Sequence, residues 1–463
     1  MTEPLSPYAE PQWLELSDAL LERLRGQLTL IQPAEERMRL ATGTLEALYA
    51  QTNGRFPHVE GEAREAYLRA FLSYDIIEEF LGDPAVEDIV INSTNPIFVH
   101  RTGDGLTKTD RRFLSSQHLG LFVKKLLVFG GRTEHDPIND VELADVRGRV
   151  NIIDSPFGPQ ITITRGKQQP FTILDLIERQ MLTYELAAQL WIYVEGLRVR
   201  PANIILSGGP GTGKTTLLNA LLSFIPWKDR VVIIEDTLEL NTAFLENCSR
   251  LESCRRVKTP DLVKNSLRMR PERILVGEVR GVEARDLMTT MNLGKYCMGT
   301  LHASSARETI LRLQNEPMNV PPVLVSLVDV FVVLRKLNQG GQVKRVVHEL
   351  VETSWMELQT VLLSTVWSYD HREHRLVENL PSSTYRDHLS TESGRSAVQI
   401  IEETERRTII LRRLHESGEC RDVSSLTEFC QLYSDHPDQA LKRLKLTPAD
   451  LGDEPPGASR RKQ

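Results

Sequence analysis

The chain predicts an α/β fold: a large domain with a parallel sheet, preceded by a smaller α+β domain and flanked by helical extensions. Three observations carry this. A short apolar run, Asn203-Ile204-Ile205-Leu206, leads into the glycine-rich stretch Gly208-Gly209-Pro210-Gly211-Thr212-Gly213-Lys214-Thr215-Thr216 and then into residues of helical character, 215–222. Two later apolar runs, at 231–234 and 273–276, each end in carboxylates. Helical segments separate the runs, and that alternation implies a parallel sheet with ligand groups at the strand ends.

Taken in order, residues 1–70 read as a helical N-terminal extension. Trp13-Leu14-Glu15-Leu16 and Leu20-Leu21-Glu22-Arg23-Leu24 recur at helix spacing. Packing is the expected role there, and no chemistry attaches to it. Residues 71–168 form the α+β domain. Ile76-Ile77-Glu78-Glu79-Phe80-Leu81 suggests a helix stopped by Gly82-Asp83-Pro84. Residues 86–92 alternate as a strand does, and 97–100, 150–153 and 160–164 follow as strands around an amphipathic helix over 116–129. The polar stretch 165–170 suits a linker. The large domain, 169–352, opens with a helix over 183–194 capped by Thr183 and closes with a strand over 343–351. From 353 to 463 the chain reads as a polar linker, irregular over 364–393, then a helix over 398–414 with Glu402 to Arg407 charged outward. Helices at 424–433 and 437–446 and a disordered tail from 452 complete this extension.

The formal charge of −7 argues against a mainly electrostatic nucleic-acid binder, so no direct nucleic acid is expected. Met1-Thr2-Glu3-Pro4-Leu5 lacks the basic start of a secretion signal. The most apolar segment, 323–334, is too short for a bilayer and carries Asp329. A cytoplasmic protein is expected, reaching a membrane only through a partner. Five cysteines, an odd number, read as free thiols of a reducing compartment, and Cys248 and Cys254 lack the usual zinc spacings.

The stretch from Gly208 fits G-x-x-x-x-G-K-[ST], the phosphate-binding loop. Its glycines and Pro210 let the chain wrap tightly, turning backbone N–H groups onto phosphate oxygens, while the next helix points its positive end the same way. Gly208, Gly209, Pro210, Gly211, Thr212, Gly213, Lys214, Thr215 and Thr216 are thus the candidate ATP-binding set. Lys214 would reach the β- and γ-phosphates and the Thr215 hydroxyl would ligate Mg²⁺. A glycine-rich turn matching by chance is the bland reading; the strand before, the helix after and the acids downstream weigh against it.

Hydrolysis also needs a held metal, a positioned water and cations against the developing charge. Glu235, Asp236 and Glu239 cluster after one strand, and Glu278 follows another between Gly277 and Gly281. Glu278 reads as a variant of the acid that holds the metal shell through water. Spacing alone leaves open which of Glu235, Glu239 and Glu278 orients the attacking water. Alone, any of these acids would read as a surface group. His302, in Thr300-Leu301-His302, is a candidate γ-phosphate sensor or a structural histidine. Arg268, Arg270 and Arg280, and Arg149 and Arg165 in the preceding domain, are candidate cations, although surface ion pairs are the commoner role for each.

The order of these elements resembles the secretion ATPase superfamily, the motors of type II and type IV secretion and of type IV pili. Walker A corresponds to 208–215, the Asp box to 235–239, an atypical Walker B to 275–280 and the His box to 300–302. Gly82-Asp83-Pro84-Ala85-Val86-Glu87-Asp88-Ile89 and Pro317-Met318-Asn319-Val320-Pro321 are similar to the tight-adherence pilus and archaellum-type branch. The resemblance covers about residues 70–350 well and the tail loosely. It implies a RecA-like ATPase domain, ATP and Mg²⁺, a homohexamer with Arg149 and Arg165 reaching the phosphates, and an integral membrane platform protein as partner. One departure stands out: where many relatives carry Thr-Gly-His-x-Gly, this chain has Leu293-Gly294-Lys295-Tyr296-Cys297. The expected function is a cytoplasmic ATPase driving a pilus-like or archaellum-like filament or secretion. A conjugative transfer motor and a nucleotide-regulated scaffold with little turnover are the alternatives, and a helicase fits the acidic balance poorly.

Overall fold

A computed structural model describes residues 10–52, 54–101, 105–143, 145–146, 148–165, 170–254, 256–339, 342–357 and 360–451. Most of the expected linker and the expected disordered tail lie outside the described residues. The chain divides into two compact units, Met1–Gln168 and Gln169–Gln463.

The first unit is a six-stranded antiparallel sheet with helices. Its strands are β1 (Val86–Asn92), β2 (Phe98–Arg101), β3 (Gly105–Lys108), β4 (Ile138–Leu143), β5 (Gly148–Ile153) and β6 (Gln160–Arg165). They run in the order β3-β2-β1-β6-β5-β4. The helix Ser116–Phe129 starts on Ser115, whose side chain accepts from the His118 amide, relieving one orphan donor of the first turn. The N-terminal helices are not a separate body. Leu16, Leu20 and Leu45 share one apolar core with Phe122, Leu126, Ile89 and Ile163.

The second unit is built on a nine-stranded sheet. Its strands are β7 (Ile204–Gly208), β8 (Val231–Glu235), β9 (Cys248–Glu252), β10 (Arg273–Val276), β11 (Tyr296–Leu301), β12 (Val330–Gln339), β13 (Gln342–Glu357), β14 (Thr360–Asp370) and β15 (Arg375–Glu378). The order is β15-β14-β13-β12-β7-β11-β10-β8-β9. From β12 to β9 every neighbouring pair is parallel. The parallel strands are apolar on both faces because both are covered: Ile204, Leu206 and Ile233 enter one core, and Ile205, Val232 and Ile234 the other. This is a RecA-like α/β fold. The unit opens with a short helix, Ile173–Glu178, and the next helix, Tyr184–Glu195, is capped by Thr183, whose hydroxyl oxygen accepts from Leu186 N at 3.3 Å. Gly196 ends it at φ +62°, where a Cβ would stand 2.1 Å from Pro201 N, so only glycine turns the chain there.

Two expectations fail in the C-terminal third. Residues 364–393 are not irregular: they contain most of β14, all of β15 and the helix Thr384–Ser393. The antiparallel strands β13, β14 and β15 widen the sheet, so the expected boundary at 352 falls inside β13. Val361, Val366 and Trp367 are buried, but Leu362, Leu363, Ser364 and Thr365 between them break the alternation that would mark a strand. Nor do all the charges from Glu402 to Arg407 face outward. Glu403 and Arg407 are buried on the face of the helix Ala397–Ser417 that also buries Ile400, Ile410, Leu411 and Leu414. Their helical spacing places them on the core face, and an ionic partner from another helix, Glu195, makes that burial tolerable.

Among the described residues, no helix is long and apolar enough to cross a membrane.

Candidate functional site

The phosphate loop sits where the sheet reverses direction of growth. Strand β7 lies between β11 and β12, the topological switch at which such sheets bind ligands beyond their carboxyl ends. The loop leaves β7 at Gly208 and enters the helix Lys214–Leu221. Gly211 and Gly213 have φ of +64° and +99°, and a Cβ on Gly213 would stand 2.7 Å from Met181 Cε. The Thr212 hydroxyl donates to Gly209 O at 2.9 Å, bracing the turn. Pro210 and Gly211 are exposed at its apex, and Thr215 and Thr216 are half-buried in the first helical turn.

Lys214 is buried and folds back over the loop. Its Nζ donates to Gly208 O at 3.0 Å and Gly209 O at 3.1 Å, and lies 3.3 Å from His302 Nδ1. Burial lowers its pKa, against the opposing pull of Glu278 and Glu239. From His302 the contacts continue: Nε2 is 2.8 Å from Glu278 Oε1, and Arg280 Nη2 is 2.6 Å from Glu278 Oε2. A relay of four side chains therefore runs Lys214–His302–Glu278–Arg280 across three strand ends. Backbone bonds register it: Gly277 N donates to Ile234 O and Val279 N to Thr300 O, both at 2.8 Å.

The acids divide by environment. Glu278 is burdened by burial, but Arg280, His302 and Lys214 outweigh that and hold its pKa below the usual glutamate value. Glu235 is more deeply buried, and desolvation pushes its pKa up despite help from the Glu239 and Leu240 amides and Arg250. Its Oε1 accepts those two amides at 2.9 and 3.0 Å, fixing the turn after β8. A Cβ on Gly277 would stand 3.0 Å from Glu235 Cγ, so a small residue there lets the two strand ends approach. Asp236 accepts from Ser253 and Thr259 hydroxyls, each at 2.8 Å. Glu239 is exposed and close enough to Lys214 to act on its charge.

The structure thus gathers the loop, Glu235, Glu239, Glu278, Arg280 and His302 at one end of the sheet. Arg270 is exposed in the left-handed region, at φ +54°. In the first unit, Arg149 is exposed on β5, whereas Arg165 is half-buried. Arg165 Nη1 donates to Asp83 O and, at 3.1 Å, to Val86 O, holding the turn before β1. Lys295 precedes β11 at the end opposite His302, so its departure from the common pattern lies at the other edge of the strand.

Two cations near the loop escaped the sequence reading. Lys336 on β12 and Arg345 on β13 are register partners, and Arg345 Nε donates to Gly211 O at 3.0 Å. The signal was that Lys336 and Arg345 lie equally far from Gly340-Gly341 in the sequence, since a hairpin turn brings mirrored positions opposite one another.

Chemically, a glycine-rich loop leading into a helix N-terminus, a loop lysine and a depressed carboxylate coupled to a histidine suit a polyphosphate with its metal. The Thr215 hydroxyl, in the first turn of the helix, has no hydrogen-bond partner among the described residues, so its oxygen is available to Mg²⁺. Such an ion takes few protein ligands and draws the rest from phosphate and water.

The chain is similar to several known proteins. Residues 138–417 match the family model described as type II/IV secretion system protein. An uncharacterised protein of Methanocaldococcus jannaschii is 31% identical over 403 residues, covering 82% of this chain and 71% of its own length. The conjugal transfer protein TrbB of Rhizobium radiobacter is 28% identical over 279 residues, covering 58% of this chain and 85% of its own. Among solved structures, the pilus retraction motor PilT with bound ADP covers 82% of this chain and 98% of its own, at 16% identity and a TM-score of 0.46.

Proposed function

The chain belongs to the type II/IV secretion system protein family, whose members are ATPases, and from that premise we propose that it is itself an ATP-hydrolysing motor. The relay that joins Lys214 through His302 to Glu278 carries this reading. Lys214, folded onto loop carbonyls, exchanges them for the β- and γ-phosphate oxygens. Loop amides and the helix N-terminus hold the same oxygens. Mg²⁺, when bound at Thr215, neutralises charge on the transferring phosphoryl group. Glu278, kept ionised by Arg280, His302 and Lys214, accepts a hydrogen bond from the attacking water or from the metal's water shell. Glu239 is the second candidate for the water. Glu235 is a positioning residue, since its carboxylate is engaged by two amides. His302, touching both Lys214 and Glu278, reports an occupied γ-phosphate position to the carboxylate.

The motor works as a homohexamer on an integral membrane platform protein, driving a pilus-like or archaellum-like filament or secretion. Arg149, exposed on β5, and Arg165, half-buried on β6, are the proposed further cations for the phosphates. A second reading, a conjugative transfer motor, is favoured by the likeness to TrbB; pilin and platform genes beside this one would argue for the first.

Steady-state phosphate release from the purified chain tests the core of the proposal, with Lys214→Ala as control. Release well above that control is expected, rising with protein concentration as a ring assembles. Release no greater than the control at any concentration, with or without membranes, would leave a nucleotide-regulated scaffold instead.

A further inference from the structure

We propose that Lys336 and Arg345 bind the polyphosphate of the nucleotide, forming a cationic wall on the β12 side of the loop. This rests on the reading of the loop as a nucleotide site and adds residues to it. Strand β12 runs beside β7 with Leu334 opposite Gly208, so the residues after Leu334 pass directly along the loop. A Cβ on Gly211 would stand 2.7 Å from Lys336 Nζ, and one on Gly213 would stand 3.8 Å from Arg345 Cδ. Glycine at 211 therefore leaves room for the Lys336 ammonium, and Arg345 passes within ordinary contact distance of the loop at Gly213.

Charge makes the same case. Arg335, Lys336, Lys344 and Arg345 lie within eleven residues that contain no acid, in a chain of net charge −7. Lys336 and Arg345 stand directly opposite one another, an arrangement of like charges that destabilises a strand pair. Two of the four cations are engaged away from the loop: Arg335 donates to Ser304 O at 2.8 Å and Lys344 to Gln180 Oε1 at 2.5 Å. The other two lie on the loop. Lys336 has no hydrogen-bond or ion-pair partner among the described residues, and Arg345 is bonded there only to a carbonyl oxygen. Opposed cations without a carboxylate, placed against amides suited to phosphate, call for an anion between them and the loop. Lys214 and His302 serve the β11 side of β7, so Lys336 and Arg345 would grip the phosphate chain from the β12 side. The ligand class is a nucleoside di- or triphosphate.

The test is binding of a fluorescent ATP analogue, displaced by ATP or ADP, to the full chain and its variants. Lys336→Met and Arg345→Met should each weaken ATP about tenfold, as the loss of one charge-assisted contact does. Lys336→Arg should retain affinity, separating charge from packing. Lys344→Met should stay within about twofold, because an exposed charge turned elsewhere contributes little. Unchanged ATP affinity in both Met variants, with binding lost in Lys214→Ala, overturns this inference and leaves the nucleotide reading intact. Normal ATP affinity in Lys214→Ala overturns both. Equal weakening by Lys344→Met would reveal a diffuse charge effect and sink the assignment.

Discussion

Two arginine–carboxylate networks in the second unit use the same groups to opposite ends. Beside the phosphate loop, Arg280 and Glu278 form an open chain with His302 and Lys214, and the Arg280 side chain is 60% exposed. Under the C-terminal helices, Arg407 is 3% exposed and lies between Glu195 and Glu403. Its guanidinium covers the Trp191 ring at 4.6 Å, and Tyr433 donates to Glu403 at 3.1 Å. The first network leaves Glu278, His302 and Arg280 partly exposed, although Lys214 itself is buried, so its pairings can be exchanged. The second seals its charges among aromatic rings, so exchange would strand a buried ion. Openness marks the network proposed to do chemistry; closure marks the one that fastens the C-terminal helices to the rest of the unit.

Arg407→Met is the strongest challenge to that contrast. It leaves two carboxylates buried without their cation, which costs about 3–5 kcal/mol, read as a lowered midpoint in denaturant unfolding. Adding Glu195→Gln and Glu403→Gln should recover much of the loss, because neutral groups no longer need the arginine. A loss below about 1 kcal/mol for Arg407→Met would mean that the closed network fastens nothing. Glu278→Gln makes the converse comparison. Turnover should fall about a hundredfold, in line with removal of one group that stabilises the transition state, while ATP binding and unfolding midpoint change little. Full turnover would move the catalytic role to Glu239.

These networks also show what could be read from the residues. The loop was legible because its backbone geometry demands glycines and its charge demands a lysine, all in one contiguous stretch. The carboxylates were legible as strand-end acids, but Glu235 and Glu278 looked alike. What separates them is burial beneath Gly277 and beside Arg250 for one and contact with Arg280 and His302 for the other, and those contacts come from tertiary structure. Lys336 and Arg345 depended on hairpin register. Arg407 was misread because a charged run on a helix ordinarily faces water, and nothing local to it announces Glu195. The same blindness hid β14, whose buried residues alternate too imperfectly to be seen.

The smallest effect separates charge from packing in the open network. In Arg280→Ala, loss of a largely exposed pair should lower stability by less than about 1 kcal/mol at neutral pH. The sign of its pH dependence follows from Glu278, whose folded-state pKa lies below the ordinary value of 4.5. A depressed carboxylate contributes stability above its unfolded-state pKa and loses it as pH falls through the folded-state pKa. The gap in melting temperature between wild type and Arg280→Ala should therefore be largest near neutrality and close on acidification below that ordinary value. Added salt should narrow it as well, because an exposed pair is screened. A gap that persists through the acid range would mean that the Arg280 side chain acts by packing, and the relay would then end at Glu278 instead of passing through it.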